Sequence, residues 1–257
     1  MEPSLEPHLL DNTEPTPKLR IQDEIRHDII FGVLPSGSRV TEAALAKKYG
    51  ISRVPVREAL RGLEMEGFVE SKPYAGSTVA AIPVDEADDL FAVREALEAA
   101  IAARAARRAA AQFSAGHPDD GWWSIRKEIA QILAEGDEAV AADRQEQLPE
   151  LNIRFHLAIA ELSSSTSLAA LFSQIARKIE WLYASDVKSR GKHSWSEHWD
   201  IMAAIDAGNA TDAGELMSRH VNESRVGYAR RFSLESSEVV VADGEIAQGL
   251  GAQPPTK

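Results

Sequence analysis

Four residues in the C-terminal half have the types and spacing to hold a metal ion: Asn152, His156, His198 and His220. Asn152 and His156 stand four apart, so on a helix they share a face. His198 and His220 sit near the inward sides of two later apolar patterns, Trp199, Ile201, Met202 and Ile205 around the first and Leu216, Met217 and Val221 around the second. Three neutral imidazoles and an oxygen donor would bind a divalent transition metal and leave positions open. Three unrelated core or surface histidines would show the same spacing. Arg94 has Glu98 at i+4, which alone describes a helix ion pair. Trp181, Tyr183, Trp195 and Trp199 are candidates for a cavity wall or for ordinary core.

A second chemistry lies near the N-terminus. Arg53, Arg57 and Arg61 recur every four residues after Gly50 and Ser52, which makes one cationic stripe on a helix opened by a serine cap. Thr41 to Tyr49 reads as a short amphipathic helix that ends at Gly50. Two short helices joined through a glycine, the second rich in arginine, fit a helix-turn-helix that offers its second helix to base edges and phosphates. The arginine fork can bond guanine O6 and N7 together. A solvated face with Glu58 and Glu64 would carry the same charges. The flanking pattern favours DNA: Glu66 to Glu70 opens a strand, Lys72 to Gly76 reads as a hairpin tip and Ser77 to Ala80 returns, giving a wing.

These groups need elements to position them. Residues 83–235 read as helices throughout, with segments near 84–113, 119–135, 138–162, 167–190, 194–207 and 210–233. Breaks are expected at Gly136-Asp137, Ser163-Ser164-Ser165, Gly191 and Gly208-Asn209. The expected fold is mainly α: an N-terminal winged helix-turn-helix over residues 18–82 and a C-terminal all-α bundle of six or seven helices over 83–235. Residues 1–17 and 236–257, with their prolines and glycines, are expected to be an unfolded arm and tail.

Composition narrows the class. The 257 residues are 44% hydrophobic, enough for two cores, and contain no cysteine, which removes disulfides and thiolate metal sites. No run nears the ~18 apolar residues of a membrane span, and the N-terminus lacks a signal-peptide pattern, so a cytoplasmic protein with no membrane partner is expected. The net charge of −12 is unevenly spread. Residues 17–82 carry +2, with −4 before them and −10 after, so the acid lies away from the expected DNA face.

Phe31 to Glu42, Leu45-Ala46, Ile51 to Leu60, Leu63-Glu64 and Glu66 to Val69 resemble the GntR family of bacterial transcription regulators, over roughly residues 18–82. The resemblance implies DNA contacts at Ser52, Arg53, Val54, Arg57 and the wing glycine Gly76; Arg61 and Lys72 extend the same basic face. Ala43 and Val54 depart from the fatty-acid-responsive members, so their operator sequence does not transfer. Asn152 to Leu157, Glu197 to Asn209 and Leu216 to Val221 look like the FCD domain, the helical effector domain of the FadR branch. In its metal-binding members the three histidines are ligands, and the residue at Asn152 is usually aspartate. A neutral oxygen there favours Zn or Ni over Mg or Ca. Val93 to Glu98 resembles the start of FCD domains, where the residue at Arg94 faces the effector cavity and would clamp a carboxylate.

The expected protein is therefore not an enzyme. It is a ligand-responsive regulator, a repressor in most relatives, that binds a pseudo-palindromic operator as a homodimer and answers to a small organic acid at a metal site. One alternative is a metal-free regulator with an apolar or acyl effector. The other is a His-based metalloenzyme carrying a DNA-binding module, for which Glu161 or Glu197 would have to serve as base.

Overall fold

A computed structural model describes residues 17–72, 76–116 and 119–248. The chain divides into two compact units, one ending at Ala81 and the other starting at Ile82. The expected N-terminal arm, up to residue 16, and the last nine residues lie outside the described residues, as does the centre of the wing tip, residues 73–75.

The first unit has helices α1 (Pro17–Ile30), α2 (Glu42–Tyr49) and α3 (Arg53–Met65), with strands β1 (Arg39–Val40), β2 (Val69–Lys72) and β3 (Gly76–Val79). Ile21, Ile25 and Ile29 recur every fourth residue on α1 and are buried with Val56, Ala59, Leu60 and Leu63 of α3. The two helices pack closely because Gly62 has no side chain: a Cβ there would lie 2.4 Å from Gln22 Oε1. The strands form an antiparallel sheet in the order β1-β3-β2, with Arg39 opposite Thr78 and Lys72 opposite Gly76. The wing is thus a hairpin widened by a third strand that the sequence reading did not anticipate, two residues being too few to show periodicity.

The second unit is all helical among the described residues: α4 (Val84–Ser114), α5 (Asp120–Ala141), a 3-10 turn (Gln145–Gln147), α6 (Leu148–Leu162), α7 (Thr166–Asp206) and α8 (Ala210–Gln248). α4 lies along α8 and α7, and α6 packs between α5 and α7. The alanine run of α4 serves packing as well as helicity. Ala102, Ala105, Ala106 and Ala109 are fully buried.

Two expected helix breaks are absent, and both involve glycines. Gly136 lies inside α5, where a Cβ would fall 1.8 Å from the Trp195 ring, so the glycine makes room for an indole. Gly191 lies inside α7, where a Cβ would fall 2.9 Å from Val187 Cγ2 and 3.2 Å from Leu148 Cδ1, so it too leaves room for neighbouring side chains. α5 ends instead at Ala141, before Asp143 in the left-handed region at φ 58°, a role that aspartate tolerates and that no glycine marked. The expected breaks at residues 163–165 and at Gly208-Asn209 are where helices end, with Ser164 at φ 55° and Gly208 at φ 69°. The expected unfolded tail also needs correction. α8 continues to Gln248, because Glu235, Glu238, Ala242, Glu245 and Ala247 favour helix and a single interior Gly244 costs only about 1 kcal/mol.

Candidate functional site

In the first unit, Thr41 caps α2, its Oγ1 accepting from Ala44 N at 3.2 Å, and Gly50 at φ 68° closes the helix and turns the chain into α3. Ser52 occupies the N-cap position of α3 without the expected side-chain bond, which leaves its hydroxyl uncommitted to the helix. Ser52, Arg53, Val54, Arg57 and Arg61 are all exposed, and Val54 is 61% exposed, a large value for an apolar residue at a helix start.

Arg57 is held as a fork by Glu42 of α2, with Nε donating to Oε1 at 2.6 Å and Nη2 to Oε2 at 2.8 Å. The same contact lowers the Glu42 carboxyl below its ordinary pKa. Arg57 and Arg61 share one open groove with Ser71, Gly76 and Ser77 of the wing, so the recognition-helix and wing residues converge. Gly76 takes φ 84°, and a Cβ there would meet the Arg39 guanidinium at 3.4 Å. Arg39 is thus a wing cation that sequence reasoning missed, since only its pairing with β3 brings it there. The Lys72 side chain lies outside the described residues.

In the second unit, α6 supplies Asn152 and His156, α7 supplies His198 and α8 supplies His220. The three imidazoles are buried, and one nitrogen from each lies within 4.8 Å of the others. Their rings are fixed by packing: Phe155 stacks on His198 at 4.2 Å between centroids, and Trp195 meets the same ring edge-on at 4.8 Å. Burial pushes all three pKa values down from the ordinary histidine value. His198 and His220 go well below it, with His156 and Arg94 adding to the burial at both and His220 adding at His198, whereas Glu98 partly offsets the effect at His156 and His220. Both ring nitrogens of His198, Nε2 of His220 and both amide atoms of Asn152 are buried with no hydrogen-bond partner.

Two carboxylates flank the cluster. Glu197 Oε2 accepts from His220 Nδ1 at 2.7 Å, which sets the proton on Nδ1 and leaves the Nε2 lone pair bare. Glu98 Oε2 lies against His156 Nδ1. Arg94 and Glu98 are an i,i+4 pair, Nε to Oε1 at 2.6 Å, yet not a surface pair: they are 1% and 2% exposed, and Arg94 Nη2 is 3.1 Å from His156 Nε2. The carboxylates on the histidines were not anticipated as partners, because 58 residues separate Glu98 from His156 and 23 separate Glu197 from His220. Of the four aromatic candidates, Tyr183 lines a cavity beside Arg94, Trp181 and Trp195 are buried, and Trp199 is 44% exposed with Nε1 donating to Asp137.

Residues 89–223 match the FCD domain, and residues 17–79 match the gntR family of bacterial regulatory proteins. The chain is a GntR-family regulator with an FCD domain. Among curated proteins it is similar to the Uxu operon regulator of Haemophilus influenzae, 28% identical over 244 residues, 88% of this chain and 85% of that one. It is also similar to the transcriptional repressor RspR of Escherichia coli K12, 24% identical over 216 residues, covering 83% and 89%. The solved structure of E. coli McbR/YncC shares its fold, with a TM-score of 0.68 at 19% identity over 85% of this chain and 100% of that one. This GntR regulator is a DNA-binding transcription factor and not an enzyme, which disposes of the metalloenzyme alternative. Among the described residues no helix is long and apolar enough to cross a membrane.

Proposed function

We propose that this regulator represses transcription by binding a pseudo-palindromic operator as a cytoplasmic homodimer, and that a small carboxylate held at a metal in the helical unit controls that binding. Two symmetric half-sites multiply the discrimination that one winged helix can supply. Ser52, Arg53, Val54, Arg57, Arg61 and Lys72 face bases and phosphates in this reading, with Val54 suited to a thymine methyl and Gly76 to close backbone approach.

The observation that carries the effector half is the set of buried, partnerless nitrogens on His198 and His220 beside His156. Each polar group buried without a partner costs about 1–3 kcal/mol, so the bare nitrogens of these two rings, facing each other beside His156, call for an occupant. A divalent transition metal fits the donors: neutral imidazoles, kept unprotonated by burial, with Asn152 as a neutral oxygen one turn before His156. Zn or Ni suits such a set better than a hard cation. Glu197 and Glu98 orient the rings, as carboxylates commonly do behind metal-bound histidines. When bound, the metal supplies a Lewis-acid contact for an acid's oxygen. Arg94, buried at the edge of the cluster, supplies the guanidinium that holds a carboxylate.

Operator-binding titrations with candidate acids test this reading. His198→Ala should lose metal and effector response together, and Arg94→Gln should keep operator binding while weakening the effector's influence. An Arg94→Gln protein that responds at wild-type effector concentrations removes the clamp from the account.

A further inference from the structure

Around the histidine cluster two chains of contacts run in parallel. On one side Arg94 donates to Glu98, whose other oxygen lies against His156. On the other, Arg190 Nη2 donates to Glu197 at 2.8 Å, and Glu197 accepts from His220 Nδ1 at 2.7 Å. Ser224 closes the second chain, accepting from Arg190 Nη1 at 3.0 Å and donating to the His220 carbonyl at 3.1 Å. The two guanidiniums, from different helices, line one cavity with Phe91, Tyr183 and Tyr228. Its open volume is only about 10 Å³, room for about one water, so a ligand must be short and must part these side chains.

Charge decides what that ligand is. Arg94 and Arg190 bring two positive charges, Glu98 and Glu197 two negative, and imidazoles that ligate a metal are neutral donors. The cluster is balanced by itself, and a divalent ion leaves it with two positive charges. A monoanion would leave one of them buried and uncompensated, which is costly, whereas a dianion closes the balance. We propose, building on the metal-and-acid reading above, that the effector is a short dicarboxylate whose second carboxylate is read by Arg190. Arg94 and the metal take one end and Arg190 the other, with the Ser224 hydroxyl beside it. Because Arg190 also holds Glu197, and Glu197 holds His220, diacid and metal should each raise the other's affinity.

The test uses the full-length protein loaded with Zn²⁺ and calorimetric titration with malonate, succinate and glutarate, each against its monoamide, which keeps the shape and removes one charge. At least one diacid should bind about tenfold or more tightly than its monoamide, on the scale of one charge-assisted contact. At saturating Zn²⁺, Arg190→Gln should bring that ratio close to one, and Arg190→Lys should restore part of it. A chelator should abolish the preference for the diacid. Metal content measured on each variant separates loss of the second contact from loss of the site. A wild-type ratio of one, or a ratio that Arg190→Gln leaves unchanged, overturns the dicarboxylate assignment. Gluconate or lactate binding that depends on Arg94, with no diacid binding, also overturns it while leaving the acid-effector reading intact. No binding by any of these acids overturns both.

Discussion

Kept free of any metal, this protein should have a helical unit that is sensitive to mild acid. With a chelator present, His198 and His220 must still be buried neutral, because burial and their neighbours push both pKa values well below the ordinary value. Above about pH 7 the rings are neutral in folded and unfolded chains alike, and nothing is lost. As the pH falls through about 6.5 the unfolded chain takes up protons that the folded one refuses, so stability drops by up to about 1.4 kcal/mol per ring per pH unit. Between about pH 7.5 and 5.5 the two rings should cost about 2.7 kcal/mol together, and about 4 kcal/mol if His156, also lowered, follows fully. That is a large part of a domain's usual 5–15 kcal/mol. Glu98, whose carboxyl is held low, adds nothing until far more acidic pH. All five tryptophans lie between residues 122 and 199, so urea unfolding followed by their fluorescence reports the helical unit alone. The midpoint should fall on acidification, and His198→Phe should remove about one ring's share. A midpoint that stays put between these pH values would refute the claim that the rings are buried and unpaired.

Two further outcomes follow from the geometry. Arg57→Ala should weaken specific operator binding by about 1–3 kcal/mol per half-site without unfolding the protein, as read by fluorescence anisotropy at fixed salt, because the side chain is exposed and its only described partner is Glu42. Unchanged affinity would remove it from the DNA face. Gly136→Ala should destabilise the helical unit by about 1–3 kcal/mol or more in urea, since its Cβ would overlap Trp195; a stabilised variant, as an ordinary Gly-to-Ala change in a helix would give, would contradict this packing.

Much of this was legible in the residues, for reasons that differ from element to element. The helix-turn-helix showed itself because its signals are local: a threonine cap, a left-handed glycine and arginines at helical spacing. The histidines were legible as a candidate set because each sits within a strong apolar pattern, so its helix and its inward face could be read. Gly136 and Gly191 misled, since a glycine that terminates a helix and one that admits a neighbour's side chain look alike until the neighbour, Trp195 or Leu148, is in place. Glu98 and Glu197 were invisible as partners of the histidines for the same reason: their chemistry comes from packing between helices, not from spacing along one. Arg39 joined the wing only through a two-residue strand.

The most direct test is the metal content of protein purified without an affinity tag or chelator, measured by elemental analysis on wild type and His198→Ala in parallel. Wild type should carry about one Zn, Ni or similar ion per chain and the variant close to none, as a site built on three histidines requires. Wild-type protein free of transition metal even after incubation with Zn²⁺ and Ni²⁺, or a variant that retains the full amount, would contradict the account.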